Sequence, residues 1–167
     1  MKNSRGFTLI ELLVVIAIIG LLASIVLVSL NSVRAKARDA KRRQDMVQIR
    51  TALELYFDDY GSYPLPFGVA WGGVSTAPCG TNGETSGANA YIAGLVPTYI
   101  SVLPTDPAKP STCNGYLYAS WDNGKNYKFL AHVSAESYPT AGQPFYDPVR
   151  PTWAWMICSG EPACSGW

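Results

Sequence analysis

Three observations predict an α+β fold, in which one long N-terminal helix, apolar in front and amphipathic behind, packs against a small antiparallel sheet. First, all 12 prolines and 13 of the 15 glycines follow residue 60, so the first third of the 167-residue chain is free of helix breakers except Gly6 and Gly20. Second, charge is split: residues 1–50 hold nine basic and three acidic residues, whereas 51–167 hold four and nine. Third, aromatic and β-branched runs with a hairpin signal gather near the C-terminal end. A net charge of +1 excludes a globally basic nucleic-acid binder, and the length excludes a large multidomain enzyme.

Met1–Gly6 is short and polar, with Lys2 and Arg5 as its charges. Phe7–Leu30 is apolar except for Thr8, Glu11, Gly20, Ser24 and Ser29. Leu12–Leu30 holds no charge for 19 residues, about 28 Å as a helix, which matches the hydrocarbon thickness of a bilayer. A cleaved secretory signal is the rival reading. Its apolar core would run about 7–15 residues and end at a small-residue site; this run is longer, and Ser24 and Ser29 make a poor site. A retained membrane helix is the better reading. Glu11 stands out within it, because a lone carboxylate in a membrane helix costs about 2.5–3.5 kcal/mol at the bilayer centre and less near an end.

Residues 6–22, GFTLIELLVVIAIIGLL, resemble the N-terminal signature of the type IV pilin and type II secretion pseudopilin family in the leader, the Gly–Phe junction, the glutamate and the apolar run. The resemblance implies a pilin-like α+β fold and processing by a prepilin peptidase between Gly6 and Phe7, with methylation of the new Phe7 amine. It divides the chain into a leader (1–6), a transmembrane and filament-core segment (7–30), an amphipathic helix half (31–60) and a globular head (61–167). It also implies a homo-oligomeric helical filament, an inner-membrane assembly machinery as partner, and lipid contact before assembly. The precursor would be a single-pass inner-membrane protein with its head outside the cytoplasm, later part of a periplasmic pseudopilus or an extracellular pilus. Helical spacing places Phe7 and Glu11 on one face, so Glu11 of one subunit can neutralise the Phe7 amine of another, a pairing that sets register more than stability. Gly20 lowers helix propensity by about 1 kcal/mol; it serves close helix packing or, as in the family, loosening during assembly. Many type IV pilins carry a proline in the later half of the apolar run, and this chain has none there.

The positive-inside rule points the other way, because Arg34, Lys36, Arg38, Lys41, Arg42 and Arg43 follow the span. A leader that must meet a cytoplasmic peptidase, and four cysteines suited to an oxidising compartment, override it.

Beyond Leu30 an apolar stripe of Val33, Ala37, Ala40, Val47, Leu53, Tyr56 and Tyr60, flanked by Met46, Ile49 and Phe57, continues the helix. Asp39–Arg43, Lys41–Asp45 and Arg50–Glu54 are expected i, i+4 ion pairs. Gly61 and Pro64 stop a helix of about 80 Å. The basic run from Arg34 to Arg43 reads as a solvated face with some intersubunit pairing, then as a lipid-headgroup contact, and least as a nucleic-acid site.

Residues 61–113 read as loop, punctuated by Trp71-Gly72-Gly73, Pro78, Gly80, Gly83 and Gly87, with a short helical turn within 88–96. Leu103-Pro104-Thr105-Asp106-Pro107 resembles the segment before the sheet in the major pseudopilin of type II secretion. The sheet is expected over 114–158, as strands 115–120, 126–133 and 152–158, with Asp122-Asn123-Gly124 turning the first hairpin and a loop at 159–167.

Cys79, Cys113, Cys158 and Cys164 allow three pairings. Proximity favours Cys158–Cys164, leaving Cys79–Cys113, worth about 2.5 and about 4 kcal/mol by loop entropy. Zinc is the rival, but ligand spacing for it is absent. Asp122, Asn123 and Asn126 are weak calcium candidates, with Asp106 and Asp147 no better; no metal or cofactor is expected. No catalytic motif is present, His132 sits in a strand, and the adjacent Asp58 and Asp59 point apart. The sequence therefore reads as a structural filament subunit rather than an enzyme. The alternatives are a minor or tip pilin whose aromatic loops bind a ligand, and a membrane-anchored enzyme.

Overall fold

The computed structural model describes residues 7–66, 72–73, 81–108 and 115–166. The leader with Gly6, and Cys79 and Cys113, lie outside the described residues. Helix α1 runs Leu9–Tyr60, and the chain divides into two units, Met1–Ala37 and Arg38–Trp167. The first unit holds the apolar front of α1, where an 18-residue window reaches a mean hydropathy of 3.1 with none of it buried. That is long and apolar enough to cross a membrane.

In the second unit the rear of α1 lies against a sheet of order β2-β1-β3-β4-β5. β3 (Gly115–Trp121), β4 (Asn126–His132) and β5 (Ala154–Cys158) form an antiparallel meander, with Tyr118 opposite Phe129 and Leu130 opposite Met156. Thus the long helix and the small antiparallel sheet are both present. The 61–113 stretch is not all loop, however. β1 (Gly72–Gly73) pairs antiparallel with β3, and β2 (Thr81–Asn82) pairs parallel with β1. Two-residue strands bury no periodic side chains, so no alternation announces them. Hydrogen-bonded turns cover 93–99, with Tyr99 N–H donating to Leu95 O at 3.0 Å.

The β3–β4 turn has left-handed backbone at Asp122, Asn123 and Gly124. Gly124 is required twice over: its φ is +79°, and a Cβ there would collide with the Tyr63 backbone. Its carbonyl accepts the Tyr63 N–H at 2.7 Å, which ties the chain leaving α1 to the hairpin.

One face of the sheet and α1 enclose the main core: Met46, Ile49, Ala52 and Leu53 from the helix, Tyr91, Ile92 and Leu95 from the loop, and Tyr118, Phe129, Trp155 and Ile157 from the strands. The buried helix face differs from the expected stripe. Met46 and Ile49 are fully buried, whereas Val47 is 50% and Tyr60 64% exposed. The reason is polar. Asp39, Arg42 and Asp45 continue that face toward the N-terminus, all buried, and an apolar count cannot see them.

The other sheet face is also covered. Leu117, Leu130 and Met156 pack with Cys158 and Cys164, whose sulfurs are bonded to each other across six positions. Lys128 on this face is fully buried; burial pulls its pKa down, partly opposed by Asp147. Tyr63 is shifted the other way, to about 12, by burial and then by Glu54, whose carboxylate accepts its hydroxyl at 3.2 Å. Glu54 therefore meets Tyr63 rather than the expected Arg50.

The buried guanidinium of Arg42 joins three segments. It donates Nε and Nη2 to both Asp106 carboxylate oxygens at 2.9 and 2.8 Å, and Nη1 to Asp39 at 2.8 Å. Asp106 also accepts from Ser134 Oγ at 2.6 Å and from the Ala108 N–H at 2.8 Å. Asp39 accepts the backbone N–H groups of Glu136 and Ser137 at 3.0 and 3.1 Å. Burial opposes the charge on Arg42, but the bonds and charges of Asp106 and Asp39 outweigh it and raise its pKa. Asp39 is thus paired with Arg42, not with Arg43 as spacing alone would have it. Lys41–Asp45 forms as expected, at 3.0 Å, and Asp45 also takes the Tyr116 hydroxyl at 2.8 Å.

Arg42→Met should lower stability by about 3–5 kcal/mol, because two buried carboxylates lose their counter-charge. Urea unfolding of the full chain in uncharged detergent, followed by tryptophan fluorescence, measures the loss; a change under about 1 kcal/mol would contradict this account.

Candidate assembly site

The candidate site is the N-terminal end of α1. Phe7 and Leu9 are 78% and 79% exposed, and the large apolar side chains onward through Ile25 are exposed as well. Thr8 caps the helix. Its Oγ accepts the Glu11 N–H at 3.3 Å, while Glu11 Oε2 accepts the Thr8 N–H at 2.8 Å and the Thr8 hydroxyl at 2.7 Å. This is a reciprocal capping box, which satisfies donors that a helix start leaves open. Within a single chain, then, Glu11 bonds Thr8. The carboxylate also sits in the first turn, where the helix dipole favours negative charge.

Thr8 was missed in the sequence, although threonine three residues before glutamate at the head of an apolar run is the signal for such a box. Gly20 lies within the helix with no atom near enough to meet an added Cβ, so the single chain has open space there.

The basic run resolves into separate environments. Arg34 and Lys36 are exposed, in the first unit. In the second, Arg38 pairs with Glu136 at 2.5 Å, Arg42 is the buried clamp, and Arg43 lies 5.0 Å above the Trp155 ring. Arg34, Lys36, Lys41 and Arg43 are thus exposed, as a solvated face would have them, while Arg42 is buried and Arg38 half-buried against partners within the chain. Glu136 and Asp106 lie 98 and 64 positions from the arginines they meet, beyond the reach of local spacing.

The weak calcium candidates are turned inward on one another. Asn126 Nδ2 donates to Asp122 Oδ2 at 3.0 Å, Asp106 is held by Arg42, and Asp147 accepts the Val149 and Arg150 N–H groups at 2.9 and 3.1 Å. Among the described residues no group of three or more His, Cys, Asp or Glu side chains is placed to hold a metal ion. His132 closes β4 with its ring against Trp153. Asp59 accepts the Tyr99 hydroxyl at 2.6 Å while Asp58 is exposed.

Comparison with known proteins agrees with this geometry. Residues 1–27 match the prokaryotic N-terminal methylation motif. The chain is 36% identical over 107 residues to the type II secretion system core protein G of Klebsiella pneumoniae, spanning 64% of this chain and 71% of that one. The Escherichia coli K12 protein of the same description is 47% identical over 62 residues, 37% of this chain and 43% of its own. The type IV wide pilus major component PilA4 of Thermus thermophilus is 41% identical over 63 residues, 38% and 48% respectively. The last two matches span less than half of those relatives. No solved structure matches. The chain belongs to the type IV pilin and type II secretion pseudopilin family. It is a filament-subunit chain of that class, with a prepilin-type N-terminus.

Thr8→Val should remove the cap at a cost of about 1 kcal/mol. Hydrogen exchange of the full chain in micelles should show lost protection at Ile10–Leu13 and unchanged protection in β3–β5; unchanged protection at the helix start would refute the capping role.

Proposed function

We propose that a prepilin peptidase cuts this chain between Gly6 and Phe7, that the Phe7 amine is methylated, and that the mature chain enters a type II secretion pseudopilus or a type IV pilus through its apolar helix. The observation that carries the reading is the front of α1. It offers an apolar window of mean hydropathy 3.1 with no cover from its own chain, interrupted near its start by one carboxylate. Such a surface is stable in two places, a bilayer or a bundle of like helices. Before assembly it anchors the chain in the inner membrane as a single span with the head on the extracytoplasmic side. In the filament it lies against copies of itself. The inner-membrane assembly machinery moves it from one to the other.

Glu11 gives the transfer its register. Cleavage creates a cationic amine at Phe7, four residues from Glu11. In the single chain Thr8 already satisfies the Glu11 carboxylate, so pairing with another subunit's Phe7 amine exchanges bonds from neutral donors for an ion pair in which both partners are charged. An amine left unpaired in the apolar bundle is costly, and only the correct axial stagger avoids it. Gly20, with no neighbour of its own, lets a second helix approach closely. The role is structural, not enzymatic.

Chain purified from cells should begin at a methylated Phe7 by mass spectrometry. Glu11→Gln should insert and be cleaved normally, yet fall at least about tenfold in the sheared filament fraction, the factor for losing more than about 1.4 kcal/mol of a buried ion pair. Retention of Met1, or normal incorporation of the variant, would overturn the reading.

A further inference from the structure

A cavity of about 310 Å³ opens in the second unit, lined by residues that include Arg43, Tyr138, Pro139, Gln143, Phe145 and Trp155. Its volume stands at the lower end of ligand pockets, roughly 300–1,000 Å³. The assembly reading uses none of these residues.

The lining is rigidly built. Trp155 is buried, its indole N–H donates to Ser137 O at 2.7 Å, and its ring stacks on Phe145 with centroids 6.1 Å apart and planes 20° apart. Phe145 has a φ of +67°, a left-handed backbone that a bulky residue adopts only under constraint, and such residues gather at ligand clamps. The constraint is visible: Phe145 O accepts the Met156 N–H at 2.9 Å. The loop before it is closed by Gln143, whose N–H donates to Thr140 O at 3.0 Å and whose side-chain oxygen accepts the Thr140 N–H at 2.8 Å. With that oxygen engaged, the Gln143 amide can offer a ligand only its N–H donors.

Arg43 supplies the charge. Its guanidinium carbon lies 5.0 Å from the Trp155 ring centroid, within cation–π range, and the residue is exposed. Among the described residues no carboxylate comes within ion-pair distance of it, whereas Arg38, Lys41, Arg42 and Arg150 all have one. Among the described residues no acidic side chain lines the cavity, and Arg43 is its one cation.

We propose that this cavity binds a carboxylate carried on a six-membered ring, the acid meeting the Arg43 edge and the ring lying against the Phe145, Tyr138 and Pro139 side chains. One cation suits a monoanion; a phosphate dianion would call for a second cation or a set of backbone N–H donors aimed at it. Ring walls suit a flat or disc-shaped body, and the volume suits one ring rather than a length of peptide. Tyr138 and Gln143 add donors for hydroxyl or carboxylate oxygens. Two sources share this chemistry, a hexuronic acid of a polysaccharide and an aromatic acid.

The test is a titration of the full chain in uncharged detergent, following the Trp155 indole N–H by NMR. Galacturonate represents the sugar acid and benzoate the aromatic acid, with methyl galactoside and benzamide as their neutral counterparts. At least one acid should shift the Trp155 signal saturably, and its neutral counterpart should bind at least about tenfold more weakly. Whichever acid binds names the source. Arg43→Gln should lose about tenfold in affinity while the other indole signals stay in place, and Arg43→Lys should fall between. If the Gln variant misfolds, the comparison of acid with neutral counterpart decides. No shift with either acid, equal binding of the neutral compounds, or undiminished binding by a folded Arg43→Gln protein would overturn the proposal.

Discussion

The head is organised around one fully buried guanidinium. Arg42 on the helix, Asp106 after the long loop and Asp39, which itself receives the 136–137 backbone, meet in a buried fork of charge-assisted hydrogen bonds. Each group would be expensive to bury alone, and together they give each of Nε, Nη1 and Nη2 a carboxylate acceptor. The fork has planar, bidentate geometry, so it tolerates little displacement of either carboxylate. The apolar core of Met46, Ile49 and Leu53 against Tyr118, Phe129 and Trp155 supplies the bulk of the burial. The polar fork determines which loop segments approach the helix and in what register. A purely apolar interface would be more permissive, because hydrophobic contact has no direction.

The front of the same helix is the opposite case. It has surface without a partner in its own chain, and its only charged group, Glu11, is satisfied locally by Thr8. A helix in that condition is complete as hydrogen bonding and incomplete as burial. The first property lets it rest in a bilayer at low cost, and the second leaves it available to like helices. Residue choice has thus separated two tasks along one element: charge and aromatic content in the rear build a head, and aliphatic monotony in front serves membrane and filament.

The far face of the sheet shows how the short C-terminal segment contributes. Lys128, Leu130 and Met156 would face solvent in a two-layer arrangement. The 158–164 bridge holds the last residues over Leu117, Leu130 and Met156, which makes a second, smaller core. A crosslink closing so short a loop restrains the unfolded chain less than a long one would. Its larger role here is to position a cover. The same packing buries Lys128, whose charge burial opposes and Asp147 favours.

The sequence by itself determined everything that depends on local pattern. The long helix ending near Tyr60, the apolar front, the hairpin at Asp122–Gly124 and the β4 and β5 runs all follow from periodicity, turn residues and the absence of proline. The GFTLIE junction likewise carried the family. Tertiary structure decided the pairings that join distant positions. Asp39 takes Arg42 rather than Arg43, Glu54 takes Tyr63 rather than Arg50, and within a basic run that is otherwise exposed Arg38, Arg42 and Arg43 meet Glu136, Asp106 and Trp155. It also chose Met46 over Val47 for the core, since the buried face is set by where three charged residues find partners. The physical reason is range. Helix and turn preferences act over about four residues and are written in neighbours, whereas a buried charge is tolerable only beside its counter-charge, and the chain must fold before the two are neighbours at all.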